Sequence, residues 1–277
     1  MRINQNIAAF NSYRNLSATN SQLGKSLEKL SSGFRINRAA DDAAGLAKSE
    51  SLRAEIAGSR QAVRNAQDGV SFVQTAEGAL NEVHSILQRM RELAVDAANT
   101  ATTDGVAQQA EVTQLLAEIT AIGTNSTFAG KTVFQDYSGT GAALTFHVGS
   151  GAGQTLEITT DIRITVSGAN GIFNGHNVGA VDVSADADGA IGVIDDAIGD
   201  VSTVRSTLGA TQNRLEHTVA NLSVAVENLS ASESRVRDTD MASEMVSFTR
   251  HQIMVQAGTA MLAQANQVPS TVLSLLE

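Results

Sequence analysis

A seven-residue repeat of apolar residues in the last third of the chain constrains its fold more than any other feature. The repeat is uninterrupted and consists of Ile194, Val201, Leu208, Leu215, Leu222, Leu229 and Val236. A strict heptad repeat places one apolar seam along an α-helix, and that seam supercoils around a partner helix. At about 1.5 Å of rise per residue, the seam is roughly 63 Å long. The sequence therefore predicts long, paired helices rather than a compact globule.

Shorter heptad runs in the first half of the chain can supply the partners. They consist of Ile56, Val63 and Val70, followed by Val73, Leu80, Leu87 and Ala94. These runs predict a helix from about residue 44 to residue 99, and a 3-4 apolar spacing predicts a shorter helix over residues 112–122. Three helices with matching stripes favour a bundle in which segments distant in sequence lie side by side.

Both ends of the chain carry weaker apolar repeats that predict terminal helices. The residues of these repeats include Ile3, Ile7, Phe10, Leu23, Leu27, Leu30, Met245, Phe248, Val255 and Leu262. Near the second end, Ile253, Met254 and Met261 widen the apolar face beyond a single seam. Because so wide a face is unfavourable in water, we expect the terminal helices to pack against partners.

The middle of the chain changes to a period of two. Apolar and polar residues alternate over residues 144–148, 156–158 and 162–166, and a glycine-rich turn at residues 149–153 separates the first two runs. This pattern predicts β-hairpins within residues 129–170. The predicted fold class is mainly α: a long antiparallel helical bundle or coiled coil with a small β-hairpin region.

Composition excludes several classes of function. Acidic residues outnumber basic ones 29 to 19, which gives a net charge of −10 and argues against a nucleic-acid partner. The absence of cysteine excludes disulfides and thiolate metal sites. No run approaches the roughly 18 apolar residues of a membrane span, so no membrane insertion is expected. The first residues lack the features of a cleavable signal peptide, so we expect either a cytosolic protein or export without a cleaved leader.

Candidate sites for chemistry are weak. The glycines of residues 149–153 lie between predicted strands and precede no lysine, so a hairpin turn is favoured over a phosphate loop. Residues 184–189 with Asp195 match part of a calcium loop, but an acidic turn that caps the next helix is favoured. The histidines show no metal-ligand spacing, and no nucleophile–base–acid set emerges. The sequence predicts no metal, no cofactor and no enzymatic activity.

Long motifs stand at both ends of the chain. The N-terminal motifs are LEKLSSGFRIN at residues 27–37, ADDAAGLA at residues 40–47 and QRMRELA at residues 88–94. The C-terminal motifs are RDTD at residues 237–240, QAGT at residues 256–259 and LAQANQVP at residues 262–269. Through these motifs the chain resembles the bacterial flagellin family, and residues 144–155 are similar to the hairpin region of that family.

The resemblance implies a domain organisation in which the terminal helices pair into a second, inner domain. Residues 1–42 and 237–277 would form the two halves of this inner-core domain. Residues 43–189, including the hairpins, and residues 190–236 would form the outer-core domain. Only residues 165–189 separate the hairpins from the returning helix, so the large variable insert of many relatives is missing.

The resemblance also implies a function: a structural subunit that polymerises into the helical flagellar filament used for swimming. The implied localisation is extracellular, with export through the flagellar type III apparatus. The implied partners are further copies of the chain, an export chaperone, the filament cap and hook-associated proteins. A hook–filament junction protein and, in a different class, an intracellular coiled-coil adaptor are the alternatives.

Two expectations concern particular segments. By resemblance, a vertebrate Toll-like receptor would contact Arg89, Leu93 and Glu118 on the outer-core helices. The first terminal helix is rich in Asn and Ser, which favour helix propagation weakly. We therefore expect residues 1–40 and 240–277 to be disordered before assembly and helical within the filament.

Overall fold

The computed structural model describes residues 5–99, 104–134, 144–158, 162–166, 171–173 and 176–273, and these residues are mainly α-helical. The helices are α1 (Ile7–Ser32), α2 (Ala43–Ala97), α3 (Val106–Asn125), α4 (Ala187–Arg237) and α5 (Met241–Leu273). The strands are β1 (Thr127–Phe128), β2 (Lys131–Thr132), β3 (Leu144–His147) and β4 (Thr155–Ile158), and a 3-10 turn spans Val178–Ala180. The predicted fold class of long helices with small antiparallel hairpins is confirmed.

The chain divides into two compact units. One consists of Met1–Glu55 and Glu227–Glu277, and it contains α1 and α5. The other is Ile56–Val226, and it contains α3, the strands and most of α2 and α4. The segment boundaries expected at residues 42, 189 and 236 stay predictions.

In the larger unit, α2 and α4 run antiparallel. Arg91 Nε lies 2.6 Å from Asp195 Oδ1, and Arg205 Nη2 lies 3.8 Å from Glu77 Oε1, so sequence position rises along one helix as it falls along the other. The first four seam residues of α4 are fully buried: Ile194, Val201, Leu208 and Leu215. Burial of such large apolar side chains stabilises this unit.

The buried side of α2 agrees with the predicted seam at Ile56, Val73, Leu80, Leu87 and Ala94 and departs from it at Val63 and Val70. Small residues form its first part, and Val63 and Val70, expected in the seam, are only half-buried. The fully or nearly buried small residues are Ser59, Ala62, Ala66, Gly69 and Ala76. Large residues take over further along the helix, where Leu80, Leu87 and Met90 are fully buried. Small side chains allow close approach of another element, as at Gly69, which Leu215 and Phe146 both contact.

The later seam residues correct the expectation of a uniformly buried seam. Leu222 is half-buried rather than central, and Leu229 and Val236, which belong to the smaller unit, are half-buried as well. In the larger unit, α3 runs beside α2 from Asp96, which accepts a hydrogen bond from Gln108, toward Phe72, which contacts Phe128. Leu215 packs close to the Phe72 end of α3. Leu222, one heptad further along α4, therefore remains partly open to solvent.

The two hairpins lie in the larger unit. β3 and β4 are antiparallel, with Leu144 opposite Ile158 and Phe146 opposite Leu156. Leu156 and Ile158 are buried, whereas the alternate residues of β4 are exposed, as the period of two predicts. The shorter β1–β2 hairpin turns at Ala129 and Gly130, both with positive φ.

The predicted third alternating run, residues 162–166, forms no strand. Its residues Ile162 and Ile164 are nevertheless buried, and Ile164 packs against Gly123 of α3. The carbonyl of Val166 accepts a hydrogen bond of 2.8 Å from the amide of Gly179, so isolated main-chain bonds replace a ladder. Within the described part of the chain, no helix is both long and apolar enough to cross a membrane.

Replacing Leu215 by Asp should strongly destabilise the monomer, because an unpaired carboxylate would be buried in the core. We expect the free energy of unfolding to fall by about 3–5 kcal/mol. Leu222→Asp is the matched control at a half-buried seam position and should cause less than half that loss. Urea unfolding of purified monomer measures both, and equal losses would contradict the difference in burial.

Candidate assembly surface of the terminal helices

The two terminal helices, α1 and α5, pack antiparallel in the smaller unit. Lys29 Nζ lies 3.9 Å from Glu244 Oε2, and far from this pair Asn6 Nδ2 donates a 2.8 Å hydrogen bond to the carbonyl of Ala265. Asn6 also caps α1, since its side-chain oxygen accepts the amide of Ala9 at 3.0 Å. Between these contacts Leu16 packs against Gly258, where a Cβ would be tight. Asn6 thus both caps the N-terminus of α1 and forms a hydrogen bond with α5.

Most apolar side chains of this helix pair remain open to solvent. Of the predicted inner-core residues, the half-buried ones are Leu23, Leu30, Phe248, Val255 and Leu262, and the exposed ones are Ile7, Phe10, Leu27 and Met245. Ile3 lies outside the described residues. Among the described side chains of α1 and α5, Ser26 alone is fully buried. An apolar surface of this extent marks an interaction site in a soluble protein.

A shallow groove of about 490 Å³ runs along the exposed side of α5. Its apolar walls are Met245, Val246, Ile253 and Met254, and Thr249 and Arg250 supply the polar atoms. Since α1 packs on α5 through Glu244 and Gly258, the groove lies on a side of α5 that remains exposed.

The linkers that follow α1 and α4 are joined through the main chain. Gly33 ends α1 with φ of 74°, a left-handed conformation that favours glycine. Its carbonyl accepts the amide of Thr239 at 3.0 Å, and the amide of Arg35 donates to the carbonyl of Arg237 at 2.7 Å. Phe34 and Asp238 form the antiparallel bridge between these bonds. The two terminal motifs that carry the family resemblance therefore meet here.

Arg237 reinforces this junction through its side chain. Its Nη1 donates a 2.7 Å hydrogen bond to Glu50 Oε1 in α2, and its guanidinium lies 4.8 Å from the centre of the Phe34 ring. The Arg237 guanidinium holds the pKa of Glu50 below its ordinary value of 4.5. Nothing in the sequence pairs Glu50 with Arg237, because the two lie far apart in the chain and each is an ordinary surface residue type.

The loop between α1 and α2 is held by carboxylates. Asp41 Oδ2 accepts the amides of Asn37 and Arg38, and these bonds lower the pKa of Asp41. Glu28 of α1 accepts hydrogen bonds from the side chains of both of these loop residues. Asp42 caps α2 by accepting the amide of Gly45 at 2.9 Å. The loop is thus shaped by local bonds rather than prepared for chemistry.

The residues expected to contact a receptor are split between surface and core. Arg89 is exposed and binds Glu92 in α2 and Glu111 in α3, and Glu118 of α3 is exposed too. Leu93, in contrast, is only 7% exposed and belongs to the hydrophobic core. The expectation that Leu93 offers a surface contact is corrected, since its position in α2 faces the core.

Carboxylates in and beside the segment considered for calcium make bonds within the protein, and Asp195 pairs with Arg91 of α2. Asp186 accepts the amide of Gly189 at the start of α4. Asp182 accepts the amides of Ser184 and Ala185 and the hydroxyl of Ser184, which lowers the pKa of Asp182. In the described ranges no group of three or more His, Asp or Glu side chains is arranged to hold a metal.

Comparison with known proteins gives two family matches that together span most of the chain. The family model described as the bacterial flagellin N-terminal helical region matches residues 3–139. The model described as the bacterial flagellin C-terminal helical region matches residues 191–276.

Curated relatives match over the full length of both chains. The identity is 47% over 305 aligned residues with a flagellin of Bacillus subtilis (strain 168) and 49% over 278 with a flagellin of Halalkalibacterium halodurans. It is 46% over 285 with flagellin FlaB2 of Treponema pallidum. These comparisons give no support to a hook–filament junction protein or an intracellular adaptor.

Replacing Glu50 by Gln should lower the melting temperature of the monomer at neutral pH, because the charged partner of Arg237 is lost. The folded-state pKa of Glu50 is depressed, so its stabilising contribution is fully present above the ordinary value of 4.5 and is lost as pH falls through the folded pKa. The difference in melting temperature should therefore shrink in acid.

Thermal unfolding followed by circular dichroism from about pH 3 to about pH 7 measures this difference. Glu55→Gln removes the same charge from an exposed position of the same helix and serves as the control. A Glu50→Gln effect that stays constant over this range would contradict the assignment.

Proposed function

We propose that this chain, a member of the bacterial flagellin family, polymerises through the exposed apolar sides of α1 and α5. It is a structural subunit of the flagellar filament and not an enzyme. The observation that carries this proposal is the exposure of Ile7, Phe10, Val246, Ile253 and Met261 on helices with almost no buried side chain. Such a surface is stabilised when a second copy covers it.

Identical subunits need two different complementary surfaces to build an open filament. A contact between unlike surfaces that does not close on itself produces a helical polymer. The α1–α5 pair offers such surfaces, because the exposed apolar residues of α1 and the groove of α5 belong to different helices. We therefore assign apolar side chains of α1 in one subunit to the groove of α5 in the next.

The domain division expected from the sequence fits the positions of the linkers. The loop ending at Asp42 precedes α2, and the turn at Asp238 separates α4 from α5. We propose residues 1–42 and 237–277 as the inner-core domain, and residues 43–189 and 190–236 as the outer-core domain. The boundary at residue 42 coincides with the start of α2, and the boundary at residue 236 lies one residue before the end of α4.

Partners other than further copies follow from the same surface. A free subunit that exposes so much apolar area would associate prematurely. We propose that an export chaperone covers the helix of residues 241–273 before export through the flagellar type III apparatus. We also propose that the filament cap and hook-associated proteins contact the terminal helices at the two ends of the extracellular polymer.

A vertebrate Toll-like receptor is a further proposed partner. Arg89 is exposed and its planar guanidinium is held in place by Glu92 and Glu111, so it can offer directed hydrogen bonds to a protein surface. Glu118 provides an exposed carboxylate on α3. Leu93 would be buried beneath this surface and would not contact the receptor.

The Ile253→Asp substitution should prevent filament formation while leaving the melting temperature of the monomer within a few degrees of wild type. The reason is that Ile253 is exposed in the subunit, so a charge there harms only the surface between subunits. Electron microscopy and sedimentation of concentrated protein measure assembly. Ile253→Leu keeps the surface apolar and should assemble far better than the Asp variant. Normal filaments from Ile253→Asp would overturn the proposed surface.

Hydrogen exchange should show that the terminal helices gain protection on assembly. Amides of α1 and α5 should exchange nearly freely in the monomer and slowly in the filament, because their side chains find little burial within one subunit. Amides of residues 190–215 should be protected in both states, since that part of α4 is in the core. Strong protection of α1 and α5 in the monomer would refute folding coupled to assembly.

The double substitution Arg89→Ala with Glu118→Ala should reduce activation of a receptor reporter cell line by monomer at least tenfold, consistent with loss of two hot-spot contacts. Both positions are exposed, so the melting temperature should change little. Arg53→Ala, which removes an exposed arginine elsewhere on α2, is the matched control. A silent wild-type monomer would refute receptor recognition altogether.

A further inference from the structure

The methionines of this chain are concentrated in one helix, where their side chains are exposed. Four of the six lie in α5, and their side chains are 47% (Met241), 50% (Met245), 39% (Met254) and 62% (Met261) exposed. Met90 of α2 is fully buried in the core, and Met1 lies outside the described residues. Met245 and Met254 line the groove assigned above to assembly, and Met241 and Met261 are exposed on the same helix.

A thioether suits an apolar contact but changes character when it is oxidised. Methionine is flexible and nearly apolar, and its sulfur is only a weak hydrogen-bond acceptor. Met245 and Met254 line the groove of α5 beside Val246 and Ile253, where an apolar side chain of another subunit could pack on them. Oxidation to the sulfoxide converts such a side chain into a polar, chiral one.

We propose that the four α5 methionines are an oxidation site that makes assembly sensitive to hydroperoxides, with the free subunit as the target. This inference rests on the proposed use of α5 in polymerisation. In each event the sulfur lone pair attacks one oxygen of hydrogen peroxide, an S–O bond forms and the O–O bond breaks. The sulfur loses two electrons and the peroxide gains them. The departing hydroxide takes the proton from the oxygen now bound to sulfur, which leaves the sulfoxide and one water.

Among the residues that line the groove, one side chain is left to donate hydrogen bonds to the sulfoxide oxygens. The Thr249 hydroxyl already donates a 2.8 Å hydrogen bond to the carbonyl of Met245, so Arg250 remains as the donor. A sulfoxide oxygen that is buried between subunits out of reach of Arg250 has no donor, which is unfavourable. Because the same modification occurs in every subunit, its effect repeats at each contact of the polymer.

The test compares polymerisation of monomer before and after treatment with hydrogen peroxide. Peptide mass mapping should show one added oxygen at each of the four α5 methionines, while Met90 stays unmodified. The critical concentration for assembly, measured by sedimentation, should rise about tenfold or more. Methionine sulfoxide reductases for both epimers should restore the original value. Oxidised monomer that assembles at an unchanged critical concentration would overturn the proposal.

Matched variants separate the α5 methionines from other targets. A variant with Leu at positions 241, 245, 254 and 261 should show a ratio of critical concentrations, after and before peroxide, close to one, whatever its untreated value. Met90→Leu should keep the wild-type ratio. If the fourfold variant does not assemble, rescue of oxidised wild type by the reductases decides. A fourfold variant with the wild-type ratio would assign the effect to another residue.

Two outcomes of the assembly experiments distinguish failure of this inference from failure of the proposed function on which it rests. If Ile253→Asp assembles normally, α5 is not the assembly surface and the proposed function fails. If Ile253→Asp blocks assembly and peroxide does not, only the oxidation site fails. Once assembled, the filament should protect the four methionines, so their oxidation should be at least several-fold slower than in monomer. Equal rates would contradict burial of these thioethers between subunits.

Discussion

The packing of α2 against α4 is the interaction on which the larger unit depends. Fully buried leucines, isoleucines and valines of α4 face a side of α2 that begins with small residues and ends with Leu80, Leu87 and Met90. The other elements of the unit are placed by this pair: α3 lies along α2 through the Arg89–Glu111 and Gln108–Asp96 contacts. The β3–β4 hairpin lies on α2 as well, where Asn65 donates to the carbonyl of His147.

Much of this architecture follows from periodicity, and the remainder depends on information that periodicity lacks. The heptad of α4 and the alternation in β4 predict burial because large apolar side chains are both frequent and regularly spaced there. In α2 the same analysis finds Val73, Leu80 and Leu87 but misses the small buried residues before them. Ala62, Ala66 and Gly69 carry little hydrophobicity and matter through their size. The burial of Leu222 depends on which elements of the tertiary structure cover it, and a local sequence pattern cannot predict that.

The candidate site shows a similar division. The width of the apolar face near Ile253 and Met261 predicts that α5 remains partly uncovered, and the exposure of these residues agrees. The junction of the linkers is less accessible to prediction, because the bonds from Thr239 to Gly33 and from Arg35 to Arg237 use backbone atoms that every residue has. Resemblance to a family supplies the residues of a motif such as QRMRELA but not the side of the helix on which Leu93 falls.

The antiparallel pairing of α2 with α4 also determines when the larger unit can become stable. The contacts between these two helices join residues 56–97 to residues beyond 187. During synthesis or export, the apolar side of α2 therefore has no partner until α4 is also present. The chain between the two helices forms a long loop, and closing it is slow and costs entropy. Fragments lacking α4 would keep the apolar side of α2 exposed. We therefore expect a truncated product to be degraded by proteases rather than incorporated into a filament.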